Sequence, residues 1–302
     1  MNRRSFLKSI AGFSLAMAGA QLAIPVTAKC KMIAPVTGLV GKTFLDQHIK
    51  DNIAELKQDN PYLKIGETHC HSVFSDGTYS VDKILSRSAK LGLDFLVITE
   101  HVQPRQYPLE HTLASIKERG RCCEEWSHPD LEPLDVYPAF EVSTLQGHLI
   151  LVMDQDYLKP KNLRELKTQF SSLDKKMISM EDSAKMVQPF GGVSIIPHPE
   201  KKRAYPFGVS ISFARQNLTG LVDAIEDIST GHGYEENYSQ ELGMASIGSS
   251  DDHFNLIIGT TVTGYDSRKH KNFLSAVKAR ETQAIKVNDS LDDILGMARL
   301  VL

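Results

Sequence analysis

From residue 63 onward, short and nearly continuous apolar runs alternate with amphipathic helical stretches. That alternation constrains the fold more than any other feature of the chain. The runs cover 63–70, 95–99, 136–140, 149–153, 193–196, 224–228 and 244–248, with 260–265 and 284–287 later. A strand apolar on both faces must be covered on both, as in a parallel sheet wrapped by helices. The helix between the first two runs is explicit. Ser80 is its N-cap, Val81, Ile84, Leu85 and Ser88 share one face, and Gly92 ends it. Further helices are expected near 111–126, 161–172, 179–188, 269–279 and 290–300. The 240 residues from 63 to 302 suit an α/β barrel, closed or slightly irregular, since such barrels run to ~250 residues as one domain. An open doubly wound sheet is the alternative.

The chemistry gathers at the ends of these runs. The first closes on His69-Cys70-His71-Ser72, the second on Glu100-His101, the third on Glu141, the fifth on Pro197-His198-Pro199 and the seventh on Asp251-Asp252-His253. Strand alternation puts His69 and His71 on one face and Cys70 on the other. In a parallel barrel the C-terminal strand ends share one rim, and that rim hosts the active site. Asp76 lies in the first loop. His148 opens the 149–153 run, but a return from Glu141 through Gln146-Gly147 would bring it to the same rim. Alone, each residue reads as a loop cap or a turn; together they are six histidines and three carboxylates. Imidazole and carboxylate are ligands for zinc, manganese or iron, and nine ligands imply two or three divalent ions.

Residues 1–28 read as an address. Paired Arg3 and Arg4 precede Phe6-Leu7-Lys8, a charge-free stretch runs from residue 10 to 24, and Val26-Thr27-Ala28 is a small-residue cleavage site. The pattern is that of a twin-arginine export signal, which predicts a periplasmic or otherwise exported protein with no stable membrane span after cleavage. Residues 29–62 form a lead-in: a Pro/Gly/Thr stretch, then a short helix through Ile49, Ile53 and Leu56, closed by Asn60-Pro61. Lysines and arginines number 34 against 37 acids. The first 28 residues hold three of those bases and no acid, so the remainder is more acidic still, which argues against a nucleic-acid partner. Four scattered cysteines make no disulfide framework.

On its five ordered motifs, residues 63–302 resemble the polymerase and histidinol phosphatase (PHP) family of metal-dependent hydrolases. Those motifs are His69-Cys70-His71-Ser72 with Ser75-Asp76-Gly77, Ile98-Thr99-Glu100-His101, Glu141 with Gly147-His148, Pro197-His198-Pro199, and Gly248-Ser249-Ser250-Asp251-Asp252-His253. The resemblance implies a distorted (β/α)7 TIM-like barrel. It also implies one ion on His69, His71, Glu141 and Asp251, a second on Glu141, His148 and His198, and a third on Asp76, His101 and His253. Glu100 departs from the family, which has Asp before the motif histidine. The shorter residue there would orient a ligand, and the longer Glu100 puts that hydrogen bond in question.

The resulting expectation is a metal-dependent phosphoesterase acting on a small, phosphorylated molecule, with hydroxide between two ions attacking phosphorus. His253 or His198 would protonate the leaving group, and Arg203, within Lys201-Lys202-Arg203, would meet the phosphate. Arg105 is a second cation near the rim; His232, in a Gly-flanked loop, reads first as a flexible loop residue and otherwise as lining the same mouth. The alternative reading within enzymes is an amide, carbamate or lactone hydrolase; outside them it is a non-catalytic metal-binding protein. Cys122 and Cys123 sit among acids, which raises thiol pKa and argues against a cysteine nucleophile. The lack of a Gly-x-Ser-x-Gly elbow argues against a serine hydrolase.

Overall fold

In the computed structural model, residues 26–125, 133–201 and 207–287 are described, with side chains from residue 42 on. The chain divides into two compact units, Met1–Asp46 with Ser290–Leu302, and Gln47–Asp289. The described part of the first is helical, the opening of α1 (Val26–Asp59). This helix takes in Pro35, Gly38 and Gly41, where an irregular lead-in was expected. Proline and glycine disfavour helix residue by residue, but propensity is a weak prior that context overrides. The later turns of α1 are those outlined by periodicity: Ile49 and Ile53 are buried, and Lys57 pairs with Asp94 at 2.7 Å.

The apolar runs of the second unit are its strands. Strands β1 (Leu63–Cys70), β2 (Phe95–Val102) and β3 (Asp135–Ser143) lie parallel. Strand β4 (His148–Val152) turns back antiparallel between β3 and β5 (Val193–Ile196). Strand β6 (Ala224–Ser229) resumes the parallel course beside β5, with the two-residue β7 (Tyr234–Glu235) on its end and β8 (Ala245–Ser249) parallel along it. Closure occurs at the C-terminal end alone. Asp252, just past β8, bridges in parallel to Cys70, and the His71 N–H donates to Asp252 O at 2.9 Å. Lower down, residues 63–66 of β1 pair instead with β9 (Thr261–Asp266), which carries β10 (Thr282–Lys286). The result is a mixed α/β, distorted seven-stranded barrel, not an open doubly wound sheet.

Strand parity sorts the residues into layers. Phe95 and Val97, Tyr137 and Ala139, Ile150 and Val152, Val193 and Ile195, and Ala245 and Ile247 fill the interior, together with Phe273 and Val277 of α8 (Phe273–Ala279). The opposite parity, including Phe140, Val142, Leu149, Leu151, Ile196 and Ile225, packs outward. It meets Ile116 of α3 (Leu109–Glu125), Phe170 of α4 (Leu163–Phe170), Val187 of α5 (Met180–Val187) and Ala214 of α6 (Ile211–Asn217). Helix α2 (Val81–Leu91) has the expected Ser80 and Gly92 ends, with Gly92 left-handed at φ 86°. Helix α6 and the five-residue α7 (Tyr238–Leu242) carry too few periodic positions to be read from sequence. Within α3, Arg119 is fully buried and donates Nη1–H to Ile98 O at 2.8 Å and Tyr137 O at 3.1 Å, clamping the helix to β2 and β3.

Continuing the inward parity toward the C-terminal ends gives His101, Glu141, His148, Glu226 and Asp251. The apolar filling therefore stops one layer below the rim, and the next inward positions are polar on strand after strand. No helix among the described residues is long and apolar enough to cross a membrane.

One close backbone approach under this layer is at Gly66, where a Cβ would lie 2.3 Å from Phe95 O and 2.5 Å from the Phe95 ring. Phe95 is buried in the interior cluster and cannot move aside. Gly66→Ala is expected to destabilise the protein by roughly 2–3 kcal/mol, read as a fall of several degrees in Tm. An unchanged Tm would mean that β1 and β2 are not held at this spacing.

Candidate metal centre

Glu141, the inward residue near the end of β3, is the hub of the rim. Its carboxylate is 1% exposed and meets five imidazoles. Oε1 lies 2.7 Å from His148 Nδ1 and 3.1 Å from His198 Nε2. Oε2 lies 3.2 Å from His69 Nε2, His71 Nε2 and His101 Nδ1. The antiparallel return of β4 delivers His148, which registers opposite Ser143. Asp251, just past β8, faces the same rings: its Oδ1 is 3.2 Å from both His69 Nε2 and His71 Nε2. Asp76 stands across from them, 3.3 Å from His253 Nε2 and 3.4 Å from His101 Nε2.

These contacts make four overlapping groups with ligand atoms within 4.8 Å of one another: His71, Asp76, His101 and His253; His69, His198 and Asp251; His69, His71 and Glu141; and His101, Glu141 and His148. His69, His71, His101 and Glu141 each belong to two groups. All nine residues expected at the rim are therefore brought together, although the groups cut across the partition that the resemblance implies.

The chemistry of the donor set fits a divalent ion. His69 donates Nδ1–H to Glu226 at 2.8 Å, which turns a lone pair on Nε2 toward Glu141 and Asp251. Carboxylates on two sides of that nitrogen are satisfied by a proton on it or by a cation between them. Neighbouring donor atoms on one ion with bonds of ~2.0–2.2 Å stand ~3 Å apart, close to the 3.2 Å spacings here. His71 Nε2, His198 Nδ1 and Asp251 Oδ1 are buried without a hydrogen-bond partner, an arrangement that costs free energy unless another group satisfies it.

Electrostatics follow from this crowding. Burial disfavours charge on Glu141, yet His101, His69 and His148 hold it well below the ordinary carboxylate range. Asp251 is held down in the same way, against burial, by His69, His232 and His71. Burial pulls His71 down, but Asp251 and Glu141 overcome that and push it up to about 10. Burial wins at His198, which falls to about 4.

Four further carboxylates hold the donors in place. Glu226 accepts from His69 Nδ1, from Ser249 Oγ at 2.6 Å, from the His198 N–H at 2.7 Å and from Tyr234 OH at 3.2 Å. Glu67 accepts the N–H groups of Thr68, His69 and Ser250. Asp252 accepts those of Phe254, Leu256, Ile257 and Ile258, fixing the loop after His253. Glu100 gathers the hydroxyls of Ser72, Ser75 and Ser115. Its longer side chain thus reaches the β1 loop and α3, and Ser75 Oγ stands 3.5 Å from His71 Nδ1. The sequence reading passed over Glu67 and Glu226. The available signal was a carboxylate inside an apolar strand, which must be paired when buried.

His232 is no loose loop residue: its Nε2 meets Asp251 Oδ2 at 2.7 Å. Lys201 Nζ donates to His232 O at 3.1 Å and lies 4.7 Å above the Tyr234 ring. Arg105 is exposed. Arg203 lies outside the described residues, as do residues 1–25, with Arg3 and Arg4, and the helix expected at 290–300. Burial and Glu118 push the Cys122 thiol up to about 11, and Cys70, Cys122 and Cys123 are free thiols.

No protein-family model matches the sequence, and no curated protein is similar to it. Among solved structures, PsfC from Pseudomonas syringae aligns with a TM-score of 0.55 at 17% identity, over 79% of this chain and 97% of that one. A two-domain protein from Bacteroides vulgatus, described as containing a predicted PHP-like metal-dependent phosphoesterase, aligns at 0.49 and 19% identity. That match covers 74% of this chain but 64% of the Bacteroides protein, so the chain spans less than two thirds of it. An amidohydrolase from Chromobacterium violaceum, with bound sulfate and no metal, aligns at 0.40 and 15% identity, over 74% of this chain and 99% of that one. The likeness to PsfC shows a shared barrel fold.

Two outcomes follow from the geometry. Glu226→Gln keeps the shape but no longer fixes the His69 tautomer, so metal affinity is expected to fall roughly 10–100-fold, measured by chelator competition with circular dichroism as the folding control. Protons and metal compete for the raised His69 and His71 nitrogens. Affinity should therefore climb as pH rises from 6 to 8, with proton release on loading seen by calorimetry in buffers of different ionisation enthalpy. A pH-independent affinity would count against these two ligands.

Proposed function

We propose that the chain is an exported, divalent-metal-dependent phosphoesterase acting on a small phosphorylated molecule. The carrying observation is the Glu141 carboxylate shared among five imidazoles, with Asp251 completing the facing side. In this reading His69, His71, Glu141 and Asp251 would hold one ion, Glu141, His148 and His198 a second, and Asp76, His101 and His253 a third. Zinc, manganese or iron bound there supplies Lewis acidity and lowers the pKa of water toward neutrality.

The protein's own groups divide the remaining work. His198 is 1% exposed and covered by the Phe207 ring at 4.0 Å. It is screened from substrate, which leaves it a holding role. His253 is 25% exposed at the opening of the cluster and donates Nδ1–H to Asp251 O at 3.1 Å. Its Nε2 lies 3.3 Å from Asp76 Oδ1; that nitrogen would hold the third ion, and it can give a proton to the leaving group only when protonated and free of metal. Arg203 is the cation assigned to the phosphate oxygens. Lys201 is committed to His232 O and Tyr234. One phosphate-binding cation is thereby withdrawn from the site, which favours the second reading, hydrolysis of an amide, carbamate or lactone. Export rests on Arg3-Arg4 and the cleavage site at residues 26–28, with the twin-arginine machinery as partner.

Loaded with manganese or zinc, the protein is expected to hydrolyse a chromogenic phosphomonoester. His69→Ala should lose at least about 100-fold, the upper end of what supporting residues cost. Turnover of a lactone or carboxyl ester in place of the phosphate would support the second reading. Bound metal with no turnover of either would overturn the hydrolase reading. Arg3→Lys with Arg4→Lys is expected to keep the protein in the cytoplasm, read by fractionation.

A further inference from the structure

Five large apolar side chains among the described residues are about half exposed or more: Phe44, Tyr62, Val73, Leu145 and Phe254. Three of them stand on rim loops beside the clustered residues. Val73 is two residues past His71, Phe254 directly follows His253, and Leu145 is in the turn that leads to His148. Phe254 is the most exposed, at 65%. An apolar group held in water beside a polar cluster gains nothing from folding, and a ligand with an apolar part would cover it.

The geometry puts two of these at the mouth. Of the nine clustered residues, Asp76 and His253 are the most exposed, with side chains 34% and 25% accessible. The cluster is therefore most exposed at their loops. The Thr78 N–H donates to His253 O at 2.8 Å and joins the two loops, while the Val73 N–H donates to Tyr79 O at 3.0 Å within the first. Val73 and Phe254 thus stand on joined loops at the exposed edge of the cluster. The walls behind them are aromatic as well. Tyr107 stacks on His101 with ring centroids 5.2 Å apart, and Phe207 lies 4.0 Å from His198 and 4.9 Å from His148.

We propose that the site selects substrates carrying an apolar or aromatic group next to the reacting phosphate, received by Val73 and Phe254. This rests on the phosphoesterase reading above and names its substrate class. Phosphonates that cannot be hydrolysed separate the two ideas. The manganese-loaded full chain would be titrated calorimetrically with 2-phenylethylphosphonate and 2-hydroxyethylphosphonate, which share a head group. The phenyl compound is expected to bind roughly 10-fold tighter or more. In the Val73→Ser, Phe254→Ser double variant that ratio should fall toward one; both positions are exposed, so folding is not at stake. Equal binding of the two compounds overturns the inference and leaves the phosphate reading intact. A preference that survives the double variant also overturns it. Binding of neither compound overturns the phosphate reading and this inference with it.

Discussion

A buried carboxylate among five imidazoles is the interaction on which the rest of this structure depends. Glu141 is 1% exposed and within 3.2 Å of nitrogens from His69, His71, His101, His148 and His198. Alone in that position it would face a desolvation cost of several kcal/mol. Surrounded as it is, it organises four other strand ends around itself. Every segment that bears one of these histidines must terminate at the same height, and the distorted barrel is the arrangement that makes them do so. The antiparallel β4 follows from this: it returns through a tight turn and places His148 beside the residue from which the chain has just left.

Holding so many polar groups in place requires a further layer, and the chain supplies it with four more carboxylates. Glu67 and Asp252 take mostly backbone N–H groups, Glu100 takes serine hydroxyls, and Glu226 takes a mixture. Burial pushes Glu67 up to about 7 against the hydrogen bonds it accepts from Ser250 and His69, whereas burial is outweighed at Glu226, which the His69 imidazole holds below the ordinary carboxylate range. The hydrogen bonds make the loops rigid, and rigid loops keep donor atoms at spacings that suit an ion. His232 adds to this from β6–β7 by gripping the second oxygen of Asp251.

The mouth is of another character. Its walls carry aromatic rings stacked on the histidines, its lip carries Val73 and Phe254, and Lys201 is engaged elsewhere. In the proposed reading the polar, highly charged floor would take the group that reacts, and the apolar lip would take the group that distinguishes one substrate from another.

By itself, the sequence determined the periodicities and their endpoints. Apolar runs fixed where strands lie, Ser80 and Gly92 fixed a helix, and the position of histidines and acids at run ends fixed a rim. Those features are local, governed by backbone geometry and by the alternation of side chains along a strand. It could not determine which groups meet across the barrel. Glu226 and His69 are 157 positions apart, and Glu100 meets Ser72 and Ser75 of the β1 loop and Ser115 of α3. Pairing at that range depends on strand order, on the irregularity between Glu67 and Cys70 in β1, and on closure through Cys70 and Asp252. The short helices and the role of His232 were hidden for the same reason. Too few residues carry a period there, and tertiary contacts alone hold them, so the physical cause of each lies outside its own stretch of sequence.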